Sequence, residues 1–397
     1  MRFRYALSSP KAREKAKEVA ESMYYLSERI TAVRVGEAEL EVDYEGDDEE
    51  AFRRKAERFL HDNLKIRLIP RKTLKDNRTS KPPRPCREQA PLAPVGSLRL
   101  TGDAALAEQA LDRLFFDMAA GYGAQMRRYP SFMTMEHMMR SGYMYHYPQN
   151  VYGVSEVEHE QETLERCRSH LSEEQPLGEL MRHNELYLQP CVCYHVYAEL
   201  AAERRKPGKL ELFSAAGPCY RHEHRARLSP VRVREFRMRE IVFLGEEQPV
   251  EQMRATLVED SWALFERLGL RGYLETATDP FYFHDDGAML FYQQSGALKY
   301  ELRVTPDDQT GAAITSFNLC GSLLCQSFGI DDGSHTFQSG CVGFGIDRWV
   351  QALLMTHGPV IKEWPQTVRE TLFPIPSSGR HPGERPLIGG ARAYRPY

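Results

Sequence analysis

The arrangement of apolar and polar positions divides the chain into a small leading unit and a long remainder. Residues 2–7 alternate as a short strand. Ser9-Pro10 then starts a helix predicted over about 10–29, with Ala16, Val19, Ala20, Met23, Tyr24 and Leu26 at its apolar positions. Residues 32–35 and 38–44 read as a hairpin across Gly36-Glu37. Asp47-Asp48 cap a second helix through about 62, and residues 64–69 form a final strand. The order β-α-β-β-α-β is that of a small ferredoxin-like α/β domain over residues 1–70, an architecture that hosts many functions and specifies none.

Residues 71–96 interrupt the pattern. Between positions 70 and 96 there are six prolines and a run of basic side chains, with few groups suited to a core, so this stretch reads as a basic linker. A larger domain is predicted over 97–375. It opens with a helix from Gly102-Asp103 to about 121, with Leu106, Ala110, Leu111, Leu114 and Phe115 on one face. A second helix covers 134–141, an aromatic strand-like segment 142–148, and an acidic helical region 154–185. A strand from 186 leads into a helix by 197 and carries Cys191, Cys193 and His195. An amphipathic helix is expected over 250–268, and strands near 272–277, 289–293, 298–304 and 312–318. Residues 340–348 open a helix that continues to about 355, and residues 376–397, rich in Pro, Gly and Arg, read as a flexible tail.

Composition narrows the class. With 42% hydrophobic and 27% charged residues and a formal net charge of −4, the chain is an ordinary soluble protein without a global attraction to nucleic acid or membrane. No run nears the ~18 apolar residues of a spanning helix, and the basic N-terminal stretch lacks the apolar core of a signal peptide, so a cytoplasmic location is expected. The eight cysteines include no CxxC pair and signal neither a zinc ribbon nor a disulfide framework.

The densest chemistry lies between Cys219 and Gly245, two strands joined by a charged loop. Seven arginines fall between Arg221 and Arg239. Such a concentration of guanidinium forks suits a polyanion, most simply a nucleotide triphosphate, and Phe236 among them offers a ring for a base. A solvated charged hairpin remains the alternative.

These residues carry a resemblance. Tyr220-Arg221-His222-Glu223, the loop and the returning Phe236-Arg237-Met238-Arg239-Glu240 resemble motif 2 of class II aminoacyl-tRNA synthetases. Gly343, Gly345 and Arg348 resemble the GxGxxR of motif 3. The FRMRE at 236–240, the CVGFGIDR at 341–348 and the Cys193-Tyr194 element are similar to two zinc-dependent branches of that class, the amino acid:carrier-protein ligases and the atypical seryl-tRNA synthetases. The resemblance implies an α+β fold: an antiparallel sheet of the class II synthetase type flanked by helices, behind the small N-terminal domain.

It also implies roles. Arg221 would hold the α-phosphate of ATP, Glu223 the adenine amino group, Phe236 the adenine face, Arg232 the terminal phosphates and Arg348 the γ-phosphate. Lys299, Glu301, Ser316 and Asn318 would line the amino-acid and magnesium (Mg2+) side. Cys193, Glu240 and Cys341 would hold zinc (Zn2+). Two thiolates and a carboxylate leave one tetrahedral position open, as in a substrate-binding site, and an amino acid held there would present its carboxylate to ATP. Cys191 is the rival ligand, expected on the opposite face if this stretch is a strand. Cys320 and Cys325 read as pocket packing. The sequence after Ser316-Phe317-Asn318 departs from the relatives' pattern, which leaves serine or glycine specificity open.

The implied reaction is adenylation of a small α-amino acid followed by transfer to the phosphopantetheine thiol of a carrier protein. A tRNA acceptor is the alternative, and a non-catalytic synthetase-like regulator a third reading. The resemblance further implies a homodimer, paired near the helix at 104–130 and Tyr129-Pro130.

Overall fold

The computed structural model describes residues 1–64, 70–78, 89–204, 207–279, 293, 296–306, 311–330 and 337–374. The strands expected at 64–69 and 289–293 and the tail at 376–397 lie wholly or almost wholly outside them.

The leading unit contains β1 (Arg2–Ala6), α1 (Pro10–Met23), β2 (Ile30–Val35), β3 (Glu39–Tyr44) and α2 (Glu49–Asn63). Its strands form an antiparallel sheet in the order β1-β3-β2. The Ser9 hydroxyl and the Asp48 carboxylate accept from the backbone amides of Ala12 and Ala51, at 3.1 and 2.9 Å, and so cap the two helices. Both helices cover the sheet through Phe3, Met23, Leu40, Val42, Phe52 and Phe59. α1 ends six residues before the position the periodicity predicts. A tighter 3-10 turn over Tyr24–Leu26 turns Leu26 into the core, and Ser27 is already extended (φ −165°).

The larger domain is built on an eight-stranded sheet. It comprises β4 (Thr73–Asp76), β5 (Gln125–Arg127), β9 (Leu210–Tyr220), β10 (Glu235–Gly245), β11 (Gly272–Thr276), β12 (Lys299–Val304), β13 (Ala312–Gly321) and β14 (Gln338–Gly345). The spatial order is β4-β11-β12-β13-β14-β10-β9-β5, antiparallel except where β5 joins β9. A second sheet of β6 (Phe132–Thr134), β7 (Gly153–Val157) and β8 (Met181–Leu188) runs β6-β8-β7. The helices are α3 (Asp103–Gly121), α4 (Met135–Arg140), α5 (Tyr143–His146), α6 (Gln161–Ser172), α7 (Tyr194–Ala202), α8 (Glu247–Arg267), α9 (Leu323–Phe328), α10 (Ile346–His357) and α11 (Gln366–Leu372).

One face of the main sheet presents Ile241, Phe243, Phe317, Val342 and Phe344 to α3, α8 and α10 and forms the principal core. Phe115 of α3 stacks on Phe344 with ring centroids 4.2 Å apart and meets Trp349 edge-on at 5.4 Å. The architecture is the expected α+β one, an antiparallel-dominated sheet flanked by helices behind a small N-terminal domain.

The structure corrects several local expectations. Residues 73–76, within the expected linker, form an edge strand on β11. An edge strand needs only one ladder and tolerates polar side chains, so its sequence lacks an apolar signature. The aromatic segment 142–148 is helical, not a strand. Gly142 takes φ 73°, and Tyr143 is buried against Tyr147 and Tyr194. The acidic region 154–185 splits into β7, α6 and β8. Arg182 pairs with Glu158 at 2.8 Å and Asn184 donates to Glu156 at 2.7 Å, so the charges are matched between strands rather than along a helix. Leu106 is 51% exposed and lies off the buried face of α3. No helix among the described residues is long and apolar enough to cross a membrane.

Phe115 is fully buried where α3, α10 and β14 meet. Phe115→Ala should cost about 3–5 kcal/mol of unfolding free energy, measured by denaturant titration; a loss below ~1 kcal/mol would contradict this account of the core.

Candidate active site

Register places the candidate residues. β10 pairs with β14 so that Glu240 lies opposite Gly343. β13 pairs with β14 so that Ser316 also meets Gly343 and Asn318 meets Cys341. β12 pairs with β13 so that Glu301 meets Ser316 and Lys299 meets Asn318. Directly opposed residues share a face. Glu240, Cys341, Ser316, Asn318, Lys299 and Glu301 therefore stand on the face opposite the helices. The same parity divides the FRMRE stretch. Phe236, Met238 and Glu240 face the site, whereas Arg239 turns back to Asp112 of α3 at 2.7 Å, and Arg237 to Glu108 at 3.1 Å. Gly343 keeps the floor open, because a Cβ there would come within 2.6 Å of the Met238 side chain and 3.3 Å of Glu240 Oε1. The resulting cavity, about 510 Å³, is lined by all the residues named on this face, together with Arg221, Cys191, Cys193 and Arg348.

Of the expected metal donors, Cys193 and Glu240 come together with the rival Cys191, while Cys341 lines the same cavity outside that group of three. Cys191 and Cys193 lie in the turn between β8 and α7, not on a strand, so both thiols reach the same side, with sulfurs 3.4 Å apart. Ligand atoms of Cys191, Cys193 and Glu240 all lie within 4.8 Å of one another. Cys341 is near enough to Cys193 and Cys320 for their thiols to act on its titration, and Asn318 donates to its sulfur at 3.5 Å. Those donors hold the Cys341 thiol well below its ordinary range, while Cys193 is raised. Burial, and then the neighbouring Cys341, push Glu240 up to about 8. Glu240 Oε2 accepts from the amides of Val192, at 2.8 Å, and Cys193, which fixes the carboxylate beneath the thiols. Cysteine sulfurs and a carboxyl group held this close together are the donor set zinc takes, and these residues fit it.

The cationic side is equally concentrated. Arg221 is half-buried, donates to the Pro190 carbonyl at 3.2 Å, and sits over the Phe236 ring with its guanidinium carbon 5.1 Å from the centroid. Arg348, in the first turn of α10, donates to the Ala313 carbonyl at 2.8 Å. Burial, followed by repulsion from Arg232 and Arg221, lowers Arg348 to about 10, an unusual value for a guanidinium. Arg221 and Arg348 line the cavity with Arg232 close to Arg348, the kind of cationic grouping that can receive an anion. Glu223 lies behind this cluster, its carboxylate 3.1 Å from Arg232.

Sequence reasoning missed the partners of Lys299. Asp279 accepts from its ammonium at 2.5 Å, and Gln293 donates to the other oxygen of Asp279 at 2.8 Å. Burial opposes both charges. The pairing outweighs it, so Lys299 is held above its ordinary range and Asp279 below. Tyr143 and Asn150 also border the cavity. None of these carries a spacing signal, because each comes from a segment remote from the two motifs.

Comparison with known proteins agrees with the fold. Residues 179–357 match the family described as tRNA synthetase class II core domain (G, H, P, S and T). Residues 179–357 resemble a class II synthetase core, and the relatives that share it are ligases. It is 28% identical over 282 residues to amino acid–acyl-carrier-protein ligase 2 of Bradyrhizobium diazoefficiens, covering 70% of this chain and 84% of that ligase. It is also 28% identical over 290 residues to the type-2 serine–tRNA ligase of Methanopyrus kandleri, covering 68% of this chain but only 55% of that protein. Among solved structures, the M. kandleri seryl-tRNA synthetase in complex with A. aeolicus tRNASec matches with a TM-score of 0.66 at 21% identity. That match covers 86% of this chain and 73% of that one, a likeness of fold.

A carboxyl raised to about 8 in the folded protein binds its proton more tightly than in the unfolded chain. Its contribution is complete below the unfolded value and lost as pH rises toward 8. Metal-free protein should therefore lose on the order of a few kcal/mol of stability between about pH 4.5 and 8. Urea denaturation across that range should show a flatter slope in Glu240→Gln; equal slopes would remove Glu240 as the titrating group.

Proposed function

We propose that the enzyme activates a small α-amino acid with ATP as an aminoacyl-adenylate and passes it to the phosphopantetheine thiol of a carrier protein. The observation carrying this reading is one cavity lined by two chemically opposite groups: the buried cluster of Cys191, Cys193 and Glu240, with Cys341 also on the wall, and the arginines Arg221 and Arg348, with Arg232 close to Arg348. An amino acid between them would hold its carboxylate toward the arginines, where the α-phosphate of magnesium-bound ATP would lie. Arg221 and Arg348 would neutralise the charge that develops as the carboxylate oxygen attacks, and Phe236 would offer its ring to the adenine. Zinc, held by Cys193, Glu240 and Cys341 with Cys191 alongside, would supply a position for the neutral amine of the substrate. Lys299 and Glu301, on the same face, would set the remaining polar contacts of the amino acid with Ser316 and Asn318.

One consideration favours the carrier-protein acceptor: the carrier-protein ligase similarities extend over most of those proteins. A tRNA acceptor is the second reading, favoured by the similarity to type-2 serine–tRNA ligases. We read the enzyme as a cytoplasmic homodimer, paired through the region of α3 and Tyr129-Pro130.

Amino-acid-dependent exchange of pyrophosphate into ATP is expected, and its absence with every proteinogenic amino acid would favour the non-catalytic regulator. Given labelled amino acid with holo carrier protein or with total tRNA, label should appear on the carrier; label on tRNA alone would transfer the assignment to the synthetase. Cys341→Ala should lose bound zinc, read by metal analysis, and lower exchange at least ~100-fold. Unchanged metal content would reject Cys341 as a ligand.

A further inference from the structure

The N-terminal unit does not stand apart from the site. It rests on residues 221–234, the loop between β9 and β10. The His224 ring is 3% exposed, lies 3.2 Å from the Ser27 carbonyl through Nε2, and tilts against Tyr24 with centroids 5.2 Å apart. Arg227 donates to the Tyr25 hydroxyl at 3.0 Å, with its guanidinium over the rings of Tyr24 and Tyr25 at 5.7 and 5.4 Å. Glu21, at the C-terminal end of α1, gives one oxygen to two arginines of the loop, 2.5 Å from Arg227 and 3.3 Å from Arg232.

We propose that Glu21 is a positioning residue that competes with the terminal phosphates of ATP for Arg232, so that the N-terminal unit is a reversible clamp on the nucleotide loop. This rests on the reading that Arg232 meets those phosphates. The two arginines differ in what holds them. Arg227 is 7% exposed and also held by two tyrosines, which makes it the fixed jaw. Arg232 is 33% exposed, facing a Glu21 that is 59% exposed, at the longer of the two distances. A solvent-accessible pair of this kind is weakly held, and a triphosphate offers the guanidinium more negative charge than one carboxylate. Arg232 also lies near enough to Arg348 to lower its proton affinity, so a shift away from Glu21 keeps it within the same cationic group. With nucleotide absent, Glu21 and Glu223 hold Arg232 between them. With nucleotide bound, Arg232 exchanges Glu21 for phosphate while Arg227 keeps the loop docked.

Calorimetric titration of magnesium-ATP into the full-length protein tests this with Glu21→Gln, Glu21→Asp and Arg232→Ala. Glu21→Gln keeps a hydrogen-bond acceptor for Arg227 but removes the competing charge. It should tighten ATP about two- to fivefold at low salt, with the gain shrinking as salt is added, and leave the KM for the amino acid in pyrophosphate exchange unchanged. Glu21→Asp should bind ATP as the wild type does. Arg232→Ala should weaken ATP. If Arg232→Ala weakens ATP while Glu21→Gln leaves it equal or weaker, the clamp is overturned and the role of Arg232 stands. If Arg232→Ala has no effect, both fall. A purely structural Glu21 would change thermal stability and both KM values together, without the salt-dependent gain, and that result would also overturn the proposal.

Discussion

Everything at the site depends on a carboxylate buried in a sheet. Glu240 is fixed by the pairing of β10 with β14 on one side and β9 on the other, and by two backbone amides in the turn before α7. A buried carboxyl without a cation is costly in its ionised form, and its proton affinity rises accordingly. Bringing cysteine sulfurs to the same point raises that cost. An arrangement that concentrates anionic donors in the interior is stable when something positive completes it or when protons stay on. This constraint links the fold to the chemistry: the sheet gathers in one place the donors that the proposed zinc would take.

The opposite end of the cavity presents the inverse problem. Arg221, Arg232 and Arg348 repel one another, and Glu223 and Glu301 compensate only in part. Both clusters line one space, and in the proposed function an amino acid would lie there with its carboxylate toward the arginines. Arg239 and Arg237 show that arginine density alone does not define such a site. Their neighbours along the chain face the cavity, yet they tie the sheet to Asp112 and Glu108 of α3.

The N-terminal unit adds control from outside the cavity. Its core is separate from that of the main domain, and its link to the site is a handful of polar and aromatic contacts around Glu21, Tyr24 and Tyr25. Interfaces of this kind between units of one chain are weak enough to respond to ligands. A carboxylate shared by two loop arginines is therefore suited to sensing whether phosphates are present.

Through its resemblance the sequence determined the α+β class, and through local periodicity or compact motifs whose residues are neighbours in the chain it determined the two helices and first three strands of the leading unit, the arginine-rich hairpin and the strand-to-helix junction at Gly345. It also named Cys193, Glu240 and Cys341, through resemblance rather than spacing, since 47 and 101 positions separate them in turn (240 − 193 and 341 − 240). Tertiary structure decided the rest. It placed Cys191 beside Cys193 because that stretch is a turn, paired Lys299 with Asp279, made an edge strand of 73–76, and brought Glu21 to the nucleotide loop. Strand register, edge pairing and domain docking are set by contacts between residues far apart in the chain, and single-chain periodicity does not encode which distant partner a polar side chain will meet.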